Sequence, residues 1–249
     1  NGHDKCLTLL IRANADFNQP TKGGFTPAYF ASSNGHDKCL VLLINAKANI
    51  NQPTKDGFTP AYIASSNGHD KCLTLLINAN ADFNQPTKGG FTPAYIASSN
   101  GHDKCLALLI NANANINQPS DDGNTPAYIA SSNGHDKCLA LLINANANIN
   151  QPSDDGNTPA YIASSNGHDK CLSLLINNGA LFGQEVIEAA AKNNHKCCVD
   201  FLIKHAKNST NLVDIERINQ IIKQHENEIR MFDQRFYIHN NQREKPYKS

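Results

Sequence analysis

The chain has no tryptophan, no surplus of either charge and no long apolar run. Its 22 basic and 22 acidic side chains cancel, whereas general nucleic-acid binders carry a basic surplus that displaces counterions from phosphates. No uninterrupted apolar stretch approaches the ~18 residues that span a bilayer, so no membrane insertion is expected. The opening Asn1-Gly2-His3-Asp4-Lys5-Cys6 lacks the apolar centre of a secretory signal. A glycine-rich phosphate loop and an isolated acid pair are also missing, and no cofactor is expected.

What the chain does have is cysteine, at regular intervals. Cys6, Cys39, Cys72, Cys105, Cys138 and Cys171 recur every 33 residues in one local context, while Cys197 and Cys198 break the pattern. Equivalent positions in stacked repeats lie roughly 10 Å apart, one helix diameter. A disulfide needs Cα atoms within about 7 Å. The spacing therefore predicts a column of small buried hydrophobes in a reducing, intracellular and cytoplasmic setting. The sequon Asn208-Ser209-Thr210 is then expected to go unused.

The repeat decides the fold. The string NGHDKCL begins at Asn1, Asn34, Asn67, Asn100, Asn133 and Asn166, and a degenerate NNHKCCVDFLI begins at Asn193. In one unit, Thr26 reads as an N-cap and Pro27 as the first helical residue, where a missing donor costs nothing. Asn34-Gly35 closes this short helix, since both residues tolerate the left-handed conformation. A second helix opens at His36-Asp37, with an acid in its first turn and Cys39, Leu40, Leu42, Leu43 and Ile44 on its apolar side. The stretch from Ala48 to Gly57 then reads as extended chain ending in an Asp-Gly turn. One such unit cannot bury its own apolar face, but stacked units can.

The pattern G-x-T-P-A-Y-x-A-x-x-x-G-H-x-x-x-L-x-L-L-I resembles the ankyrin repeat, in five full copies with partial copies at both ends. The resemblance implies an all-α ankyrin-repeat solenoid: helix, turn, helix and β-hairpin loop. It covers residues 1–207, with an incomplete first repeat and a degenerate capping repeat at 184–207. It also makes the histidine of Gly-His a cap of the second helix. Two departures stand out. The family's leucine-histidine pair is Ala-Tyr here, at Tyr29, Tyr62, Tyr95, Tyr128 and Tyr161, which removes the histidine bonds that usually tie neighbouring turns. The usual glycine after the second helix is replaced by Asn14, Lys47, Asn80, Asn113 and Asn146, and returns at Gly179. Asparagine is the next-best left-handed residue, and strain is expected at Lys47.

The sequence opens inside a repeat, at its second helix. An apolar face would be exposed there, so the expectation is that chain continues upstream or that something covers this end. Beyond the stack, residues 208–239 form an amphipathic helical extension, followed by a polar tail at 240–249. Ile215, Ile218, Ile222, Ile229, Phe232 and Phe236 fall on alternating three- and four-residue steps, a heptad seam interrupted only by His225. Two readings stay open: a helix folded back on the last repeat, or one paired with another chain in a homo- or hetero-oligomer.

His-Asp-Lys-Cys looks chemically rich, but it occurs six times along one surface, and a nucleophile with its base needs a single closed pocket. No catalytic residue is assigned and no enzyme is expected. His36 and Cys39 share a helical face, yet a closed zinc site needs four converging ligands. His195, Cys197, Cys198 and His205 are the one non-repeated candidate, and no metal site is assigned to them either.

If the family's habit holds, the partner-binding residues are those at the hairpin tips that differ between repeats. The first three tips carry Lys22 and Phe25, Lys55 and Phe58, and Lys88 and Phe91. The fourth and fifth carry Asp121, Asp122 and Asn124, then Asp154, Asp155 and Asn157. The edge thus runs from basic and aromatic to acidic and polar. Two functions are compatible with this: an adaptor that binds a protein through its tips and concave face, or a structural subunit or spacer of a larger assembly, docked by its open N-terminal face and C-terminal helix.

Overall fold

The structure, a computed structural model, describes residues 3–207 together with 216, 217, 220, 221 and 223. Two rows of helices alternate along the chain. The first-helix row comprises α2 (Pro27–Ser33), α4 (Pro60–Ser66), α6 (Pro93–Ser99), α8 (Pro126–Ser132), α10 (Pro159–Ser165) and α12 (Gln184–Lys192). The second-helix row comprises α1 (Asp4–Arg12), α3 (Asp37–Asn45), α5 (Asp70–Asn78), α7 (Asp103–Asn111), α9 (Asp136–Asn144), α11 (Asp169–Asn177) and α13 (Lys196–Lys207). From α2 onward the two helices of a pair touch, and helices of the same row touch from repeat to repeat. First helices pack more extensively on one another than the second helices do.

The sequence builds these helices as its local chemistry dictates. Thr59 Oγ1 accepts from the Tyr62 N–H at 3.1 Å, and Thr26, Thr92, Thr125 and Thr158 cap their helices in the same way. A proline stands at the start of all five. Second helices end on a left-handed residue: Asn14, Lys47, Asn80, Asn113, Asn146 and Gly179 all have positive φ. At the helix-closing Asn34-Gly35 only the glycine is left-handed, with φ 68, while Asn34 sits at φ −104. The expectation of two left-handed residues there is corrected to one.

Packing follows from the same positions. Leu40, Leu43, Leu73, Leu76, Leu106, Leu109, Leu139, Leu142, Leu172 and Leu175 are fully buried in columns between repeats. Each such side chain contributes about 1.5–3 kcal/mol by leaving water. Ala61, Ala64, Ala94 and Ala97 are buried where first helices meet, and their small size permits the close approach. The cysteine column is buried from Cys39 to Cys171, and all eight thiols are free. Cys6, expected in the same buried column, is instead exposed, because no repeat covers α1 on its outer side, and Cys197 is exposed as well.

The hairpins are turns rather than paired strands, and no residue among those described is in a strand. In the second tip Thr54 N–H donates to Phe58 O at 3.0 Å and Gly57 N–H to Thr54 O at 3.0 Å. Two closing bonds are too few to extend a ladder.

Lys47, at φ 61, holds a conformation that costs an L-residue roughly 1–2 kcal/mol. Lys47→Gly is expected to raise stability by about 1 kcal/mol in urea denaturation. Gly179, at φ 86 with nothing near its missing Cβ, supplies the converse test. Gly179→Ala should cost about 1 kcal/mol through backbone strain alone.

Candidate protein-binding edge

The tip edge is assembled from one backbone bond per repeat. Lys55 N–H donates to Gly23 O at 3.0 Å, and Lys88, Asp121 and Asp154 donate to Asp56, Gly89 and Asp122 at 3.1 Å. Gly90, with φ 78, makes room for this approach: a Cβ there would lie 2.7 Å from the Asp121 nitrogen. The tips are therefore held in register, and the side chains they carry form an ordered row.

Lys22, Lys55 and Lys88 are exposed, as are Asp121, Asp122, Asp154 and Asp155. Lys88 Nζ lies 4.0 Å from Asp56 Oδ1, with both side chains mostly in water, so this pair is weak and leaves the lysine available. Asp56 is the one acidic residue among the first three tips, which carry Lys22, Lys55 and Lys88, so this half of the edge keeps a positive surplus.

The phenylalanines take a different place from the lysines. Phe25, Phe58 and Phe91 fold back onto Tyr29, Tyr62 and Tyr95, with ring centroids 4.9, 5.1 and 4.9 Å apart. Each is half-buried, and beneath them these three tyrosines are buried. Burial pushes the Tyr62 hydroxyl up to about 12, with the neighbouring Tyr95 and Tyr29 adding to the shift. In the fourth and fifth repeats Asn124 and Asn157 replace the phenylalanine, and Tyr128 and Tyr161 are only half-buried. The first-helix side is thus divided: phenylalanine-covered tyrosines beside lysines, then open tyrosines beside paired aspartates.

Two further polar ladders hold the repeats together, and neither was anticipated from the sequence. The first is an asparagine relay beyond each second helix. Asn84 N–H donates to Asp82 Oδ1 at 2.9 Å, and Asn84 Oδ1 accepts from the Asn115 N–H of the next repeat at 2.8 Å. The same relay passes through Asn18, Asn51, Asn117 and Asn150. Its signal was the recurring Asp/Asn-x-Asn at Asp16, Asn49, Asp82, Asn115 and Asn148. The second ladder corrects the role expected of the histidine. His69, His102, His135 and His168 stand at the N-cap, but none of their side chains caps the helix. Their Nε2 atoms lie 2.9–3.1 Å from the carbonyls of Ser33, Ser66, Ser99 and Ser132 in the preceding repeat. Asn67 Nδ2 donates to that same Ser33 carbonyl at 2.8 Å. Gly68 lies against the next ring, and a Cβ there would come within 2.7 Å of His102 Nδ1. The inter-repeat tie lost with the family's leucine-histidine pair is supplied by this other histidine.

The non-repeated histidines and cysteines are dispersed. Cys197 is exposed and Cys198 buried, while His205 stacks on Phe201 at 4.2 Å. Among the described residues no group of three or more His, Cys, Asp and Glu converges as a metal site. A groove of about 410 Å³ opens at the first repeat, lined by Leu7, Pro27, Phe30, Ala31, Asn34, His36, Cys39 and Leu43. Phe30 is 48% exposed beside it, and Leu9 and Leu10 are exposed on α1. The seam residues Ile215, Ile218, Ile222, Ile229, Phe232 and Phe236 lie outside the described residues. No helix among those described is long and apolar enough to cross a membrane.

Paired short helices, a buried leucine column and projecting turns define a helical-repeat solenoid. The family model for ankyrin repeats matches in three copies, over residues 1–87, 83–153 and 145–214, and the chain belongs to that family. Its members are generally protein–protein interaction modules and typically non-catalytic. A search of curated proteins finds no match to the chain.

The thiol column gives a direct check on this packing. Burial, with nearby Asp136, Asp169 and Cys138 adding, pushes the Cys171 thiol up to about 12 from an ordinary 9.0. Cys105 and Cys138 are raised to about 12 as well, mainly by burial. A thiol reagent at pH 8 should modify Cys6 and Cys197 quickly and the six buried thiols only on unfolding. Above pH 9 the unfolded chain loses thiol protons that the folded chain retains, so stability should fall between pH 9 and about 12. Alkaline unfolding followed by circular dichroism checks this.

Proposed function

We propose that this protein is a non-catalytic adaptor that binds a protein partner along its tip edge and first-helix side. The observation that supports it is the charge order of a row of exposed side chains held in register. Lys22, Lys55 and Lys88 lie in the first three tips, and Asp121, Asp122, Asp154 and Asp155 in the last two. A partner with the opposite order is attracted in one orientation and repelled in the other, which sets direction and encounter rate more than affinity. Repeats 100–132 and 133–165 are identical in sequence, so two neighbouring units present the same acid pair and the same half-buried tyrosine. That suits an extended partner whose basic groups recur. Scaffolding in the cytoplasm is the setting we infer.

A second reading, a spacer docked into a larger assembly, is favoured by the near-identity of the repeats, which present nearly the same surface several times.

The two are separated by charge reversal. Peptides selected for binding to the wild-type chain are expected to associate more slowly as salt rises. Changing Asp121, Asp122, Asp154 and Asp155 to lysine should cut their association rate at low salt by about tenfold or more. Association that is indifferent to both salt and these substitutions would remove the tip edge from the binding site and favour the spacer.

A further inference from the structure

The last repeat differs from the others at one chemically decisive place. Aligned on Asn193 and Asn166, Glu188 of α12 occupies the position that Tyr161 and the other tyrosines hold in the full repeats. Glu188 is 6% exposed, and a buried carboxylate is costly unless it is paired and hydrogen-bonded. Its partner comes from beyond α13. Arg217 Nε donates to Glu188 Oε1 at 2.7 Å and Arg217 Nη2 to Oε2 at 3.1 Å, a two-bond clamp that matches the planar guanidinium. Gln184 Nε2 adds a bond to Oε1 at 3.2 Å, and Lys192 Nζ stands 3.9 Å from Oε2. The arginine side chain itself stays largely in water, so the clamp sits at the rim, where the cost of desolvation falls mostly on the glutamate.

Residues 216, 217, 220, 221 and 223 are helical. Arg217 and Ile221 are four apart and share a helix face. Ile221 is half-buried against the hydrophobic core that the stacked repeats form. An ion pair and an apolar contact on one face, both directed at the solenoid, are the signature of a segment folded back on its own chain.

We propose that the helical residues around Arg217 and Ile221 cap the end of the stack, addressed to the last repeat by the Glu188–Arg217 clamp. The address is needed because the repeats are nearly identical. An amphipathic helix guided by apolar contact alone has little to distinguish one repeat from the next, whereas a buried carboxylate occurs at this first-helix position only in α12. The cap takes the place that a further repeat or a second copy of the chain would need in order to stack on α12 and α13. Binding is thereby directed to the tip edge and away from this end.

Hydrogen exchange on the full chain, with light scattering on the same samples, tests the clamp. The wild type should be a monomer. Arg217→Ala should speed exchange of α12 and α13 amides about tenfold or more and leave α6 and α7 unchanged. Arg217→Lys should fall between the two, because a lysine cannot form both bonds. Glu188→Gln should act like Arg217→Ala, and the double variant should be no worse than either, as two groups in one interaction require. Exchange in α12 and α13 that ignores these substitutions would overturn the proposal. So would a wild-type dimer that Arg217→Ala converts to monomer, since the clamp would then join two chains.

Discussion

A seven-residue helix against a nine-residue helix encloses too little apolar surface to stay folded, so every repeat in this chain is completed by its neighbour. Leu73 and Leu76 are fully buried only because the repeats on either side cover them. This dependence on the neighbour explains why the polar ties also run between repeats. The serine carbonyl that ends one first helix accepts from the asparagine and lies against the histidine of the next unit, and the asparagine relay crosses the same boundary. Stability resides at the interfaces, and small residues such as Ala64 and Gly68 keep those interfaces tight.

With the leucine and cysteine columns fixed by repetition, much of the variation falls at places the stacking does not use. The tips are the main one. Exchange of phenylalanine for asparagine at Asn124 and Asn157 uncovers Tyr128 and Tyr161 without disturbing the threonine cap beneath them. The same two repeats carry the paired aspartates. A single change of tip sequence therefore alters charge and aromatic exposure together while leaving the leucine and cysteine columns intact. The terminal repeat uses the other available place: Glu188 replaces a tyrosine at the end of the stack, where no tip phenylalanine covers it, and Arg217 satisfies the carboxylate.

Features set by one residue's own chemistry were legible in the sequence. The Thr-Pro starts, the left-handed Asn80, Asn113 and Asn146, and the buried cysteine column all follow from local preference plus a 33-residue period. Features that depend on what a side chain meets were not. The histidine of Gly-His looked like a helix cap from its position, but its ring reaches back to a serine carbonyl about one repeat away in sequence. The tip phenylalanines read as projecting binding residues, yet stacking on tyrosine holds them half inside. Glu188 and Arg217 carry no local signal at all, because 29 residues separate them and only the completed stack brings them together.

In the proposed binding mode the tips and first helices receive a protein partner while the second-helix row serves as scaffold. Mapping which amides a selected binding peptide protects from hydrogen exchange tests this most directly. Protection is expected at the turns around Lys88, Asp121 and Asp154 and along α6, α8 and α10, with the second helices unchanged. Protection confined to α5, α7 and α9 would place the partner on the opposite side and contradict it.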